Sequence, residues 1–337
     1  MDRVHRPGGS GVSDTPEISI VVPTYNDVRK LERLLHSLAA VEVPAPTELI
    51  IVDDCSTDNT EAVVTAWAAT PLPFTGVRYL RQPQNGGPGK ARNRGLHEAR
   101  GRFLAYTDSD CVVSPQWLRE LVKQLDIEGL IGGVGGKVLA LDERSMAAKH
   151  YVFHRILEPP DALLYLVTCN CIFYRQALLD AGGFPDKIRA PGGEDVAVGI
   201  LLYKQNWRFA YSAEAIIWHD FRHELSNFYK TWYNYGYGSS YYVHCYLDRD
   251  ELYPERCNFD ASNWWSGHAI RPTVTGITTF VKDMRIELSI GRRAGFGPLR
   301  LAQALTTRII ERAGYLRGWR AGQAAYFREF GVKPFYN

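Results

Sequence analysis

The sequence predicts an α/β protein: a doubly wound, mostly parallel sheet, followed by a helical, aromatic-rich C-terminal extension. Three observations predict it. Apolar runs without polar alternation recur four times in the first 110 residues, each suited to a strand buried on both faces. Segments with apolar residues at helical spacing separate them. From about residue 226 the chain becomes dense in tyrosine and then rich in arginine, in patterns that read as helices.

ISIVVPTYN (18–26) is the first strand, closed by Pro23. DVRKLERLLHSLAAV then spaces Leu31, Leu34, Leu35 and Leu38 along one helical face, with Asn26 or Asp27 as the N-cap. ELIIVDD is the second strand, DNTEAVVTAWAA the second helix, VRYLRQP the third strand. GKARNRGLHEAR is a helix entered through glycines, and RFLAYTDSD the fourth strand. In such a β-α-β series ligands gather at the carboxyl ends of the strands.

The polar residues fall at those ends. Pro23, Thr24 and Tyr25 follow the first strand, and Asp53 and Asp54 end the second. Asn85 to Gly89 follow the third, while Asp108, Ser109 and Asp110 end the fourth. Acids are common in turns, yet four strands delivering polar groups to one rim points to a site. Alternate strand residues face the same way, so Asp108 and Asp110 can share one ligand while Ser109 faces elsewhere. Two carboxylates suit a divalent cation and leave positions open for phosphate oxygens. NGGPGKARNRG combines small residues, a helix start and the cationic fork of Arg92, all favourable to phosphate. It is neither a Walker loop nor a GxGxxG fingerprint. Asp53 and Asp54 stand where a nucleobase or ribose could be held, while Asp58 reads as the next helix N-cap.

Composition bounds the rest. The 337 residues are 45% hydrophobic and 23% charged, ordinary for a globular chain holding one large domain and an appended lobe. A net charge of +2 is too small to imply a nucleic-acid partner. The cysteines, at 55, 111, 169, 171, 245 and 257, follow no disulfide or zinc spacing and read as reduced thiols of a cytoplasmic protein. Residues 1–16 lack an apolar signal core and read as a disordered arm. No stretch approaches the roughly 18 apolar residues of a membrane span, so any membrane contact is expected to be peripheral, at the inner face.

VVPTYN, IIVDDCSTD, NGGPGKARNRG, DSD, GGF (182–184) and GGED (192–195), in that order, resemble the family-2 glycosyltransferases. These are inverting enzymes of the GT-A fold that use nucleotide-sugar donors, and the resemblance covers about residues 17–220. It implies donor binding by Pro23, Tyr25, Asp53 or Asp54, Asn85, Gly87 and Arg92, with Asp108 and Ser109 beside them. It implies a manganese or magnesium ion on Asp108 and Asp110, Asp110 being the direct ligand, with His219 completing the metal site or contacting the diphosphate. Asp195 is implied as the general base, and Glu194 as the residue that binds the acceptor or orients the base. Ala197 departs from the pattern, since relatives often carry another acid there.

The expected organisation is a GT-A domain over 17–225, divided into a nucleotide half (17–112) and an acceptor half (113–225), then a helical extension over 226–337. The expected activity is transfer of one sugar to the hydroxyl of a glycan, a lipid-linked acceptor or a small molecule. A processive synthase is the first rival, against which stands the lack of a QxxRW motif; a silent nucleotide-sugar or glycan-binding module is the second. The tyrosines beyond residue 226 suit packing or acceptor contact. Residues 282–333 carry eleven Lys/Arg against four Asp/Glu, which suits either a solvated face or a helix lying on anionic lipid. Oligomeric state is not legible.

Overall fold

The computed structural model describes residues 3–5, 15–157, 163–187, 189–221, 223–246 and 276–330, and Cys257 lies outside them. The chain divides into two compact units, one made of residues up to Leu141, Leu157–Ala190 and Glu194–Asp220. The other gathers Asp142–Ile156, Pro191–Gly193 and Phe221 onward. The helical part therefore starts five residues before the expected boundary and draws two short segments from the expected acceptor half.

The first unit holds a nine-stranded mixed sheet in the order β1-β4-β3-β2-β5-β8-β7-β9-β6. Its four parallel strands are those expected: β2 (Ile18–Thr24), β3 (Thr47–Asp53), β4 (Gly76–Arg81) and β5 (Phe103–Thr107). Every residue of β2 and β3 is buried, which is why neither alternates. Helix α1 (Val28–Leu38) buries the four leucines expected, each contributing about 2 kcal/mol relative to exposure. Helices α2 (Thr60–Ala68) and α3 (Pro88–Glu98) complete the crossovers.

Beyond β5 the sheet is mixed. Strand β8 (Asn170–Tyr174) runs antiparallel between β5 and β7 (Ile131–Ala140), and β9 (Arg208–His219) runs parallel to β7. Short β6 (Cys111–Val113) pairs antiparallel with β9. The expected nucleotide and acceptor halves thus share one sheet. The expected N-terminal arm contains strand β1 (Arg3–His5), antiparallel to β4. The remaining helices of this unit are α4 (Trp117–Val122), α6 (Arg175–Asp180) and α7 (Glu194–Lys204).

One feature of the ladder opens the site. Pairing of β2 with β3 runs to Thr24 and Asp53, but its pairing with β5 stops at Val21 and Tyr106. Pro23, which has no N–H to give, sits where that second ladder has already ended. The strand order reverses here, at the switch point where doubly wound sheets bind ligands.

The second unit is helical: α5 (Met146–Phe153), α8 (Leu225–Tyr246), α9 (Gly276–Arg293) and α10 (Pro298–Phe330). Gly314, Gly318 and Gly322 of α10 meet the carbonyls of Tyr229, Tyr233 and Tyr237 of α8, where a Cβ would lie 2.7, 1.9 and 2.4 Å from the oxygens. The glycine spacing lets the two backbones touch. Trp232, Tyr241, Tyr242, Tyr315 and Trp319 are buried, so these aromatic residues pack the helices together. Among the described residues, no disulfide joins Cys55, Cys111, Cys169, Cys171 or Cys245.

Candidate active site

Asp53 ends β3 fully buried, with both oxygens committed. Ser56 N–H donates to Oδ1 at 2.9 Å, while the Tyr79 hydroxyl and Arg81 Nη1 donate to Oδ2 at 2.5 and 3.1 Å. Burial and the Asp53 carboxylate together hold the Tyr79 phenol well above its usual range. Asp58 does more than open one helix: its carboxylate accepts from Val28 N–H at 3.1 Å and Thr60 N–H at 3.2 Å, tying the starts of α1 and α2 together. Tyr25, just past β2, is 49% exposed and presents the open aromatic face of this rim.

Asp54 organises the glycine-rich loop. It accepts from Gln82 Nε2 (2.6 Å), Asn85 Nδ2 (2.9 Å), Gly86 N–H (2.8 Å) and Gly87 N–H (2.7 Å). Gly87 has φ 88°, and a Cβ there would lie 2.2 Å from the Arg189 carbonyl oxygen, so only glycine fits. Pro88 then starts α3 with its φ already helical. Asp54→Ala would leave several buried donors unpaired, and is expected to cost on the order of 3 kcal/mol in urea unfolding. A loss below about 0.5 kcal/mol would show that the loop holds itself.

Asp110 is brought to His219 by the pairing of β6 with β9, which sets Cys111 opposite His219. His219 Nε2 lies 3.4 Å from Asp110 Oδ1, and Asp220 N–H donates to the Asp110 carbonyl at 2.8 Å. Asp110, Cys111 and His219 turn one ligand atom each towards a common point, all within 4.8 Å of one another. Burial holds the Cys111 thiol well above its usual range, which favours the neutral sulfur, a softer and weaker partner for a hard cation than a carboxylate. Asp110 and His219 remain, a carboxylate and an imidazole. The charge around them also fits a cation. Burial pushes the Asp27 carboxyl up against the pull of Lys30, and the charges of Asp110 and Asp220 add to the rise. Arg33 makes an ion pair with Asp220.

Arg92 is 4% exposed and spans two motifs: Nη2 lies 2.8 Å from Asp108 Oδ1, and Nη1 lies 3.0 Å from Glu194 Oε1. The Phe184 ring lies beneath it, 5.9 Å from the guanidinium carbon. The fork expected to meet phosphate is therefore taken up by two carboxylates, one from the acidic pair after β5 and one from the first turn of α7. Asp195 follows Glu194 in that turn, its Oδ1 accepting from Val196 N–H at 2.8 Å. Burial, and after it the charge of Glu194, hold the Asp195 carboxyl well above the usual range, against the pull of Arg92. Ser109 is half-buried between the two acids.

Several contributors carry no sequence signal. Tyr79, Arg81 and Gln82 read as strand residues, and Arg33 as a solvated helix face. Asn93 clamps α3 to GGF, donating to the Phe184 carbonyl at 2.7 Å and accepting from Phe184 N–H at 2.8 Å. Its place two residues before the end of the NGGPGKARNRG motif is the one hint.

Residues 19–181 match Glycosyl transferase family 2, and residues 103–281, more than half of the chain, match Glycosyl transferase family group 2. The chain belongs to glycosyltransferase family 2. Among curated relatives of this family-2 chain, the succinoglycan biosynthesis protein ExoO of Rhizobium meliloti is 38% identical over 136 residues, 40% of this chain and 37% of that protein. The pre-mycofactocin glycosyltransferase of Mycobacterium tuberculosis is 26% identical over 219 residues, 62% of this chain and 44% of that protein. The match thus spans less than half the length of either relative. Among solved structures, a mannosyltransferase from Pyrobaculum calidifontis, in complex with GDP-mannose and Mn2+, superposes with a TM-score of 0.60. It is 18% identical, and the superposition covers 94% of this chain and 88% of that one, which establishes the shared GT-A fold.

Proposed function

We propose that the protein is an inverting, metal-dependent glycosyltransferase that moves one sugar from a nucleotide-diphosphate sugar to an acceptor hydroxyl. One observation carries this reading: the Asp110–His219 pair and the Arg92-bridged Asp108 and Glu194, with Asp195 beside them, converge past the strand ends of a family-2 chain. Tyr25 offers its exposed face to the nucleobase. Asp54 and Asn85 shape the loop that faces the donor, while Pro23 and Gly87 let the backbone approach it. Asp53 supports this wall from behind.

Asp110 and His219 would hold a divalent ion, manganese or magnesium, which when bound offsets the charge of the departing diphosphate. Asp195 accepts the proton of the acceptor hydroxyl as that oxygen bonds to the anomeric carbon and the bond to the diphosphate oxygen breaks on the opposite face. Arg92 fixes Asp108 and Glu194 relative to each other, so the donor side and the base side keep one geometry. No helix among the described residues is long and apolar enough to cross a membrane. Relatives named for succinoglycan and pre-mycofactocin leave the acceptor open among glycans, lipid-linked sugars and small molecules.

The test is a panel of UDP-, GDP- and dTDP-sugars with manganese. One donor is expected to raise Tm and to be hydrolysed slowly without acceptor, both effects being lost in EDTA. Binding without hydrolysis or transfer would leave a nucleotide-sugar binding module instead.

A further inference from the structure

The arginine excess of the C-terminal helices is sorted by burial. From Met284 to Arg328 both acids, Glu287 and Glu311, are buried. Glu287 lies 3.1 Å from His154 Nε2, and Glu311 lies 2.9 Å from His150 Nε2 and 2.7 Å from Arg308 Nη1. Burial opposes ionisation of Glu311, but the His150 hydrogen bond and Arg308 outweigh it and hold its carboxyl below the usual range. With these two acids turned inward, Arg300, Arg317, Arg320 and Arg328 are left exposed along α10, and Arg292 and Arg293 before it; Glu329, next after Arg328, is exposed and accepts from the Tyr241 hydroxyl.

The exposed positions of α10 also form a line. From Leu299 to Phe327 all of them but Arg300 recur at steps of three or four residues, so they lie on one face about 40 Å long. Leu299 (75% exposed), Ile309 (43%) and Phe327 (42%) carry its bulk. Arg317 and Arg320 lie between Ile309 and Phe327, and the other positions are alanine or threonine. The opposite face is committed to α8 through Gly314, Gly318 and Gly322. A solvated helix face ordinarily mixes both signs of charge. Between Leu299 and Phe327 this one holds arginine, one threonine and apolar groups, with no acid.

We propose that this face of α10 docks on an anionic lipid surface. Arginine meets the headgroup phosphates while Leu299, Ile309 and Phe327 enter the boundary beneath them, as interfacial amphipathic helices do. The chemistry favours lipid over the other occupants. A second copy would set arginine against arginine with no exposed acid on the face to answer it. Nucleic acid would gain nothing from three bulky apolar side chains in line. The inference is independent of the proposed transfer reaction, because its test reads binding without turnover.

The experiment is sedimentation of the full chain with vesicles of phosphatidylcholine alone or with 30% phosphatidylglycerol, without nucleotide. Wild type is expected to pellet with the anionic vesicles at about 50 mM salt and to be released at about 500 mM. It should stay in solution with the neutral ones. R317E/R320E is expected to weaken anionic binding about tenfold or more, and R317K/R320K to keep it within about threefold. Should the charge reversal not fold, R317Q/R320Q replaces it, with a smaller loss expected. Absence of binding to anionic vesicles at low salt overturns the proposal. So does equal pelleting with neutral vesicles, unaltered binding by the charge variants, or a self-associating wild type that ignores lipid. Retention on a nucleic-acid column without vesicle binding would point to the other polyanion and overturn it equally.

Discussion

Asp195→Asn is expected to lower kcat on the order of 10²–10⁴-fold while donor affinity stays within a few-fold. The amide keeps the shape of the side chain and removes its basicity, so a loss confined to turnover identifies proton transfer. The raised carboxyl adds two checks. A base with a raised pKa is protonated, and idle, until the pH passes that value, so the acidic limb of kcat should lie above the ordinary carboxylate range. Glu194→Gln removes the neighbouring negative charge, lets the Asp195 pKa fall, and should move that limb to lower pH. In folding, a raised pKa costs nothing below the unfolded value and a growing penalty as pH rises from there to the folded value. Asp195→Asn removes that penalty and should be at least as stable as wild type at neutral pH. A stable Asp195→Asn variant with wild-type turnover would assign the base elsewhere, and a full loss in Glu194→Gln alone would assign it to Glu194.

Asp110→Asn is the second large effect. It is expected to reduce transfer on the order of 10²–10³-fold and to weaken binding of a nucleoside diphosphate with manganese. The same nucleotide should bind wild type in EDTA about as weakly as it binds the variant with metal. Burial and several charges act on Asp27, and removing one neighbouring charge relieves part of its repulsion. The variant should therefore fold as well as wild type. Calorimetric titration of the diphosphate with and without manganese separates the cases. Undiminished turnover in EDTA, or in Asp110→Asn, would remove the metal from the mechanism.

His219 was legible as the polar end of an apolar strand, but its meeting with Asp110 required β6 to pair back on β9, a contact between residues 109 apart. A three-residue strand such as β6 carries too little periodicity to be read from sequence. Arg92 shows the same limit from the other side. Its charge and place after a glycine loop suited phosphate, yet Glu194, 102 residues away, and Asp108 take its fork. Hydrogen-bond partners of a buried group are chosen by geometry that local pattern does not encode.

By itself the sequence determined the four parallel strands, the leucine face of α1 and the rim on which Asp53, Asp54, Asp108 and Asp110 stand. Each is a local consequence of burial period or of turn chemistry at a strand end. Only the tertiary structure decided which carboxylates serve the scaffold and which face the site. Asp53 and Asp54 spend their oxygens on β4 and the glycine loop, while Asp110 turns to His219. It decided, too, that Glu287 of α9 and Glu311 of α10 are buried while Arg317 and Arg320 are exposed. The reason is the same in both cases: a charge can be buried only beside a partner, and partners distant in sequence are brought near only by the completed fold.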